Sequence, residues 1–431
     1  MTSNEQLART ILLLAADLGI SNEVAIARAL HQPTAVLVAD EVVASTYAGQ
    51  VALTTAAMLM RRSGHQVFVD IPDVDLIGFQ VPMAGRTLHE AIQSVADKLI
   101  DGDAISVGCP LFAPDIAFIF GNGTAGVGVR AKRIMSVGWS KWSGTLNDWP
   151  IQSAWEDCSN PFGVMTAAAL AAAELFKVTG RILLPIGNRT AGFGDVFAAS
   201  KSSSFRLAPE ETPLLNELGS FDIVSAGAVS NAFVYAVARI ADVTGLGRAF
   251  DKDRSDNPNR NRNVLLLPKD MHKPKVDTFV FSNGLTIEPV PRHFEEYDLA
   301  SLAERVVVGV DDIPTRWMLA RGNPAWMGVG ATSHFSAMAS VHYAHSACAA
   351  CLHPKDEVVE GDTPTVAFVS FFAGLQVAAD FMRDVSGYDL NLASRQNYWT
   401  PFHPQNEMPS KVYPVAGCPA GCYASQIKRA A

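Results

Sequence analysis

A strand–turn–helix–strand order occurs twice in this chain, and it limits what the sequence can fold into more than any other feature. Residues 221–251 open with FDIVSAG, pass through a small-residue turn into a helix-like run from Asn231 to Val243, and end in GRAF, which delivers the chain to Asp251. Residues 34–70 repeat the order, with a strand over 34–40, a helix over 48–62, and a strand over 65–70 that closes on Asp70. Two parallel strands joined by a helix require a crossover, and the ligand crevice of such a sheet lies beyond the carboxyl ends of its strands. Ser225 and Ser230 stand where a nucleotide-binding turn usually has glycine, so the turn by itself specifies little.

The other segments extend this α/β pattern. Residues 4–30 read as helical, and SNEVAIARAL begins with a Ser-Asn cap signal. DAISVG (103–108), DIAFIFG (115–121) and ERVVVGVDD (304–312) read as strands. Residues 160–177 and 365–384 read as helices, the first alanine-rich and suited to close packing. GNGTAGVG (121–128) lacks the Gly-Lys-Ser/Thr of a phosphate loop and reads as a turn. Trp139, Trp142, Trp149 and Trp155 read as aromatic packing. Residues 187–218 are polar and turn-rich and are expected to link a first domain, 1–186, to a second, 219–431. The C-terminal tail, rich in proline and glycine, is expected to be irregular.

Composition narrows the function classes. With 431 residues, 48% hydrophobic and 18% charged, the chain can bury sizeable cores in two or three domains. A net charge of −9 argues against a nucleic-acid surface. No run of eighteen apolar residues is free of polar interruption, so no membrane span is expected. MTSNEQLART has no basic stretch leading into an apolar core, which points to the cytoplasm. In that reducing compartment the six cysteines read as metal ligands, catalytic thiols or packing residues rather than disulfides.

Two polar patterns carry chemistry. After GRAF come Asp251, Asp253, Asn259, Arg262 and Lys275. An acid at the end of the second strand can bind ribose hydroxyls, while the arginine and lysine can clamp phosphates. Asp311, just past a strand, can hold Mg²⁺ against phosphate oxygens. Cys348 and Cys351 form Cys-x2-Cys, and Cys418 and Cys422 form Cys-x3-Cys, with 66 residues between the pairs. That spacing suits a Cys₄ structural Zn²⁺ that pins the tail. His334, His342, His345 and His353 lie around the first pair and read as packing groups. Cys109 and Cys158 remain; Cys158 precedes a helix start, where a thiol pKa can be lowered, but buried packing is the plainer reading of both.

The polar string resembles the adenylation domain of the ThiF/MoeB/HesA superfamily, the ubiquitin-activating-enzyme-like fold. That family has Asp-x-Asp, Asn six residues on, Arg three later and Lys thirteen later, as in Asp253, Asn259, Arg262 and Lys275. Its strand ending in Asp five residues before Arg is matched by Asp311 and Arg316, and it often has two cysteine pairs flanking the final helix. The resemblance implies two Rossmann-like adenylation folds in one chain, an inactive N-terminal half and an active C-terminal half. It implies ATP at Gly227, Asp251, Asp253, Asn259, Arg262 and Lys275, and Mg²⁺ at Asp311. It also implies an arginine crossing from one unit to the other, here Arg9, with Arg28 as the alternative. The implied partners are a ubiquitin-like protein substrate, a conjugating-like enzyme and a possible homodimer, in a bacterial conjugation system of the antiviral-defence kind. A thioester would form on Cys109 or Cys158 if on any cysteine, because residues 352–417 contain none. The expected activity is ATP-dependent adenylation of the substrate's C-terminal carboxylate. The alternatives are adenylation of a sulfur-carrier protein or peptide C-terminus, and a non-catalytic nucleotide-binding scaffold.

Overall fold

The computed structural model describes residues 5–102, 104–121, 128–281, 283–356, 364–388 and 392–422. The first sheet has seven strands: β1 (Thr34–Val38), β2 (Gln66–Asp70), β3 (Ser106–Val107), β4 (Ile116–Phe120), β5 (Ile134–Trp139), β6 (Ser143–Asp148) and β7 (Ser202–Arg206). The second has eight: β8 (Glu217–Val224), β9 (Thr244–Phe250), β10 (Leu285–Val290), β11 (Arg305–Val308), β12 (Trp326–Ser333), β13 (Ser336–Tyr343), β14 (Arg395–Trp399) and β15 (Met408–Lys411). Their spatial orders are β3-β2-β1-β4-β5-β6-β7 and β10-β9-β8-β11-β12-β13-β14-β15. In each sheet the first five strands in sequence are parallel. The remaining strands turn back antiparallel. The protein is therefore mixed α/β with two parallel-rich, Rossmann-like sheets that share one topology. β1 is buried along its whole length, as a central parallel strand covered on both faces should be.

Seven helices matter to the site: α1 (Ala8–Leu18), α2 (Glu23–Leu30), α3 (Tyr47–Arg62), α4 (Pro161–Leu183), α5 (Ala228–Val237), α6 (Ile313–Arg321) and α7 (Ala367–Val385). Their starts follow local chemistry. Asn22, Thr46, Asn160 and Asp312 each accept a backbone amide of the first turn, and Pro161 occupies a first-turn position where no amide is needed. α3 and α5 are the crossover helices after the first strand of each sheet. α3 packs on α4, and α5 packs on α7. One apolar core runs through both units, from Leu7 to Phe402. The Tyr235 hydroxyl lies 2.9 Å from Thr55 Oγ1 within it. Gly374 on α7 lets α5 approach closely, since a Cβ there would lie 2.2 Å from the Val229 oxygen and 2.6 Å from the Ala232 Cβ.

The structure departs from the sequence reading at several points. The helix expected over 231–243 spans Ala228–Val237, and a turn with Asp242 at φ 52° then redirects the chain into β9. The helical stretch at 4–30 is two helices bent by 115°. DAISVG shortens to a two-residue strand, and GNGTAGVG lies almost wholly outside the described residues. Within 187–218, expected to be a linker, β7 joins the edge of the first sheet. The tail expected to be irregular supplies β14 and β15, because their backbone groups extend an edge that β13 would otherwise leave unpaired. Trp139 and Trp142 are buried, and Trp139 packs on Trp155 at 5.9 Å between ring centroids. Among the described residues, one unbroken helical run, Pro161–Ile186, is long and apolar enough to cross a membrane, but 94% of its apolar window is buried inside the protein.

Candidate active site

The turn after β8 keeps the shape of a glycine turn without the glycines. Ser225 sits at φ 84°, in the left-handed region that costs a side chain some strain. Its Oγ accepts the Gly227 amide at 3.1 Å, a local bond that offsets part of that cost. Asn231 Nδ2 donates to the oxygens of Ala226 and Gly227, both at 3.0 Å. α5 then begins at Ala228, after Gly227 at the cap position with no side-chain cap, leaving amides of its first turn available to an anion.

Beyond this turn opens a cavity of about 540 Å³. Its lining includes Arg9, Gly227, Asp251, Asp253, Asn259, Arg262, Lys275 and Asp311, the whole set singled out as catalytic or nucleotide-binding in the sequence. They arrive from different elements. Asp251 follows β9, and its two oxygens accept the Ala226 amide at 2.7 Å and the Asp253 amide at 2.8 Å. Asp251 therefore braces the turn, with lone pairs left for a further donor. Lys275 pairs with Asp253 at 2.8 Å, and that bond holds the Asp253 carboxyl below the usual carboxylate range. Asn259 Oδ1 accepts the Asp256 amide at 3.0 Å, which fixes the short turn on which it stands.

Arg262, Arg9 and Asp311 form the charged centre. Burial pulls the Arg262 pKa down to about 10, Arg9 adds repulsion, and Asp311 opposes both. Arg9 is likewise lowered by burial and raised by Asp311. Two guanidiniums thus share one carboxylate in a half-buried space, which suits a ligand bearing several negative charges. Arg9 comes from α1 in the first half of the chain. Arg28, its alternative, is exposed on α2 and is not among the lining residues. Arg316 is buried and donates from Nε and Nη2 to the Val310 oxygen at 3.0 and 2.7 Å, so it braces the turn that presents Asp311.

Sequence reasoning missed Lys252, His293, Asp312, Thr332, Thr365 and Ser370, which also line the cavity. Lys252 was within reach of that reasoning, since it lies inside the Asp-x-Asp pair. Asp312 was too, since it directly follows Asp311; the others come from distant strand and helix ends that carry no local signature.

A second cluster lies behind α6. The Sγ atoms of Cys348, Cys351, Cys418 and Cys422 all fall within 4.8 Å of one another. Cys348 is 3.4 Å from Cys418 and 3.9 Å from Cys351, and Cys351 is 3.5 Å from Cys422. A tetrahedral Zn²⁺ with four thiolates has sulfurs about 3.8 Å apart, so the buried donor set fits. His342 is excluded from that role because its ring nitrogens meet the Ala347 oxygen and Ser340 Oγ, each at 3.0 Å. The cluster packs against Trp317 and Ala320 of α6, and Trp317 Nε1 donates to the His353 oxygen at 2.8 Å.

Neither remaining cysteine lines the cavity. Cys109, read from the sequence as a buried packing residue, is instead exposed, and partial desolvation together with Asp70 pushes its thiol up. The sequence places Cys158 before a helix start, where a thiol pKa can be lowered. Instead Asn160 is the cap of α4, and burial pushes the Cys158 thiol up to about 11.

The family described as the BilD N-terminal domain matches residues 34–194. No curated protein matches the sequence. Among solved structures, PaaA is 14% identical over 46% of this chain with a TM-score of 0.35, and this chain covers 65% of PaaA's length. Escherichia coli MccB with ATP is 15% identical over 66% of this chain and 96% of that one, with a TM-score of 0.38. The microcin C7 biosynthetic enzyme MccB in complex with N-formylated MccA is 14% identical over the same shares, 66% and 96%, with a TM-score of 0.39.

Proposed function

We propose that the protein is an ATP-dependent adenylyltransferase that activates the C-terminal carboxylate of a ubiquitin-like protein. The observation that carries this reading is the convergence of Arg9, Asp251, Asp253, Asn259, Arg262, Lys275 and Asp311 on one cavity. An NAD-dependent oxidoreductase has no use for such an arginine–lysine phosphate clamp.

In this reading the triphosphate lies against Asn259, Arg262, Lys275 and the α5 N-terminus, and the ribose lies near Asp251 and Asp253. A substrate carboxylate oxygen attacks the α-phosphorus; a new P–O bond forms as the bond to pyrophosphate breaks, giving an acyl-adenylate. Arg262 and Arg9 neutralise the charge that builds on the phosphoryl oxygens. The chain's contribution is positioning and electrostatics, with no covalent step on a side chain. Asp311 suits Mg²⁺, which typically takes one or two carboxylates plus substrate phosphates and would add charge neutralisation there. The four cysteines would hold a structural Zn²⁺ that fixes the tail against α6. The first half, 1–186, is read as an inactive partner fold and 219–431 as the active one, with Arg9 crossing between them.

ATP–pyrophosphate exchange with candidate ubiquitin-like proteins tests the proposal. Exchange that depends on one such protein and is lost in Arg262→Ala is the expected result. Exchange supported instead by a short peptide C-terminus would change the substrate, and failure of the chain to bind ATP would end the enzymatic reading.

A further inference from the structure

The loop that carries Asn259 and Arg262 is held from the other half of the chain. Residues 257–267 contain only one short helical turn, Asn257–Asn259, before the chain continues irregularly. Three of their carbonyl oxygens, those of Arg260, Val264 and Leu266, accept hydrogen bonds from one guanidinium. It belongs to Arg62, the last residue of α3. Nη2 donates to Val264 at 3.1 Å and to Leu266 at 2.7 Å, and Nη1 donates to Arg260. Arg62 is fully buried, and among the described residues no carboxylate pairs with it. Burial and the nearby Arg260 pull its pKa down to about 9. A buried cation costs least when its donors are satisfied, and here backbone oxygens take bonds from both terminal nitrogens, while Nε has no partner among the described residues.

The second half has a counterpart. Arg239, just past the end of α5, is also buried and donates from Nη2 to the Val81 oxygen at 2.6 Å. Val81 lies in the first half's loop after β2, the topological equivalent of residues 251–275. Each crossover helix thus ends near an arginine that grips the opposite loop. Among the described residues, only the loop gripped by Arg62 contributes to the lining of this cavity.

We infer that Arg62 is a positioning residue for the nucleotide site, fixing the carbonyls of residues 260, 264 and 266 so that Arg262 and Asn259 face the phosphates. The inference rests on the adenylation reading for its ligand, though not for its geometry. Arg262 lies between two tethered carbonyls, so releasing them frees its backbone on both sides. A misplacement of about 1 Å at such a group can cost roughly 100-fold. Lysine can reach one carbonyl where arginine spans three, so Arg62→Lys should restore part of what Arg62→Met loses.

The test compares full-length wild type, Arg62→Met, Arg62→Lys and Arg239→Met. Thermal melting reports the fold, calorimetry with a non-hydrolysable ATP analogue and Mg²⁺ reports affinity, and hydrogen–deuterium exchange reports the 257–267 amides. Arg62→Met is expected to weaken nucleotide binding about 10- to 100-fold and to speed exchange over 257–267, with Arg62→Lys intermediate. Arg239→Met is expected to lower the melting temperature comparably while leaving nucleotide affinity within about twofold. Wild-type affinity in a folded Arg62→Lys, or equal loss of binding in Arg239→Met, overturns the inference. Should Arg62→Met fail to fold, Arg62→Lys decides. Should wild type bind no nucleotide, the adenylation reading fails, while faster exchange over 257–267 in Arg62→Lys alone still upholds the positioning role and its absence overturns it.

Discussion

The two halves begin their crossovers alike and then treat the same crevice in opposite ways. After β1 the chain makes an extra short helix, Glu41–Ala44, capped by Asp40, before α3 starts. The buried Gln50 then donates to the oxygens of Ala44 at 3.0 Å and Asp75 at 2.8 Å, and accepts the Ile77 amide at 2.7 Å. The turn after the first strand and the loop after the second are thereby stitched together by a neutral amide. After β8 the turn is short, and a charged residue, Asp251, does the stitching from the loop's side. That geometry leaves the α5 N-terminus facing open space, with cations arranged around it. Shared topology therefore does not decide where a ligand can sit. Among the described residues, the turn after the first strand is joined to the loop after the second by an amide in one half and by a carboxylate beside a charged cavity in the other.

The contrast can be broken most decisively at the acids. Asp311→Ala should reduce ATP–pyrophosphate exchange by about 100-fold or more, while Asp70→Ala, at the end of β2, should stay within about twofold of wild type. Equal losses would mean that both crevices serve the reaction. The next largest effect concerns metal. Cys348→Ser with Cys351→Ser should remove about one zinc per chain and lower the melting temperature, whereas Cys109→Ser with Cys158→Ser should leave metal content unchanged. Zinc retained by the first pair of substitutions would rule out the cysteine cluster as its site.

Acid should act through the first half as well. His65 is buried with its Nδ1 2.9 Å from the Leu30 oxygen, and burial depresses its pKa to about 4. The unfolded chain takes up a proton near pH 6.5 that the folded protein refuses until about pH 4. Stability from this residue is therefore complete above about pH 6.5 and falls by roughly 3 kcal/mol as the pH drops to about 4. Urea unfolding across that range should show a shallower loss in His65→Gln than in wild type, and an unchanged slope would remove His65 as a cause. The smallest effect is expected at the two thiols outside the cluster. Cys109→Ala and Cys158→Ala should each keep wild-type exchange and show no change in thioester bands on non-reducing gels; loss of a band in either would reassign it as an acceptor.

The sequence was most legible where the site is local. Asp251 to Lys275 lie on one stretch, and their spacing already named the residues that the structure gathers at the cavity. The cysteine pairs were legible because they recur at the short intervals that a metal site uses, and the structure brings their four sulfurs together. Other features were hidden by distance or by missing turn signals. Arg62 meets its partners across about 200 residues, and nothing in RRSGHQ distinguishes it from neighbouring Arg61, which bonds the Ile100 oxygen within its own half. The hairpin of β12 and β13 turns at His334, with φ 54°, instead of at the Asn-Gly or Gly a reader looks for. Both strands are buried over most of their length, so they lack the alternation that marks a half-exposed strand.

Gly374 has a consequence for the cavity's dimensions. α7 carries Ser370 to one wall, and α5 carries Ala228 and Val229 to another. The gap between those walls is gauged by a missing methyl group, since any side chain at 374 would press into the Val229 carbonyl. A Gly374→Ala chain would act as a shim, prising the α5 N-terminus away from the opposite wall without touching a single polar residue. The fit of a phosphate in this protein would then depend on a residue that has nothing to offer it except absence of bulk.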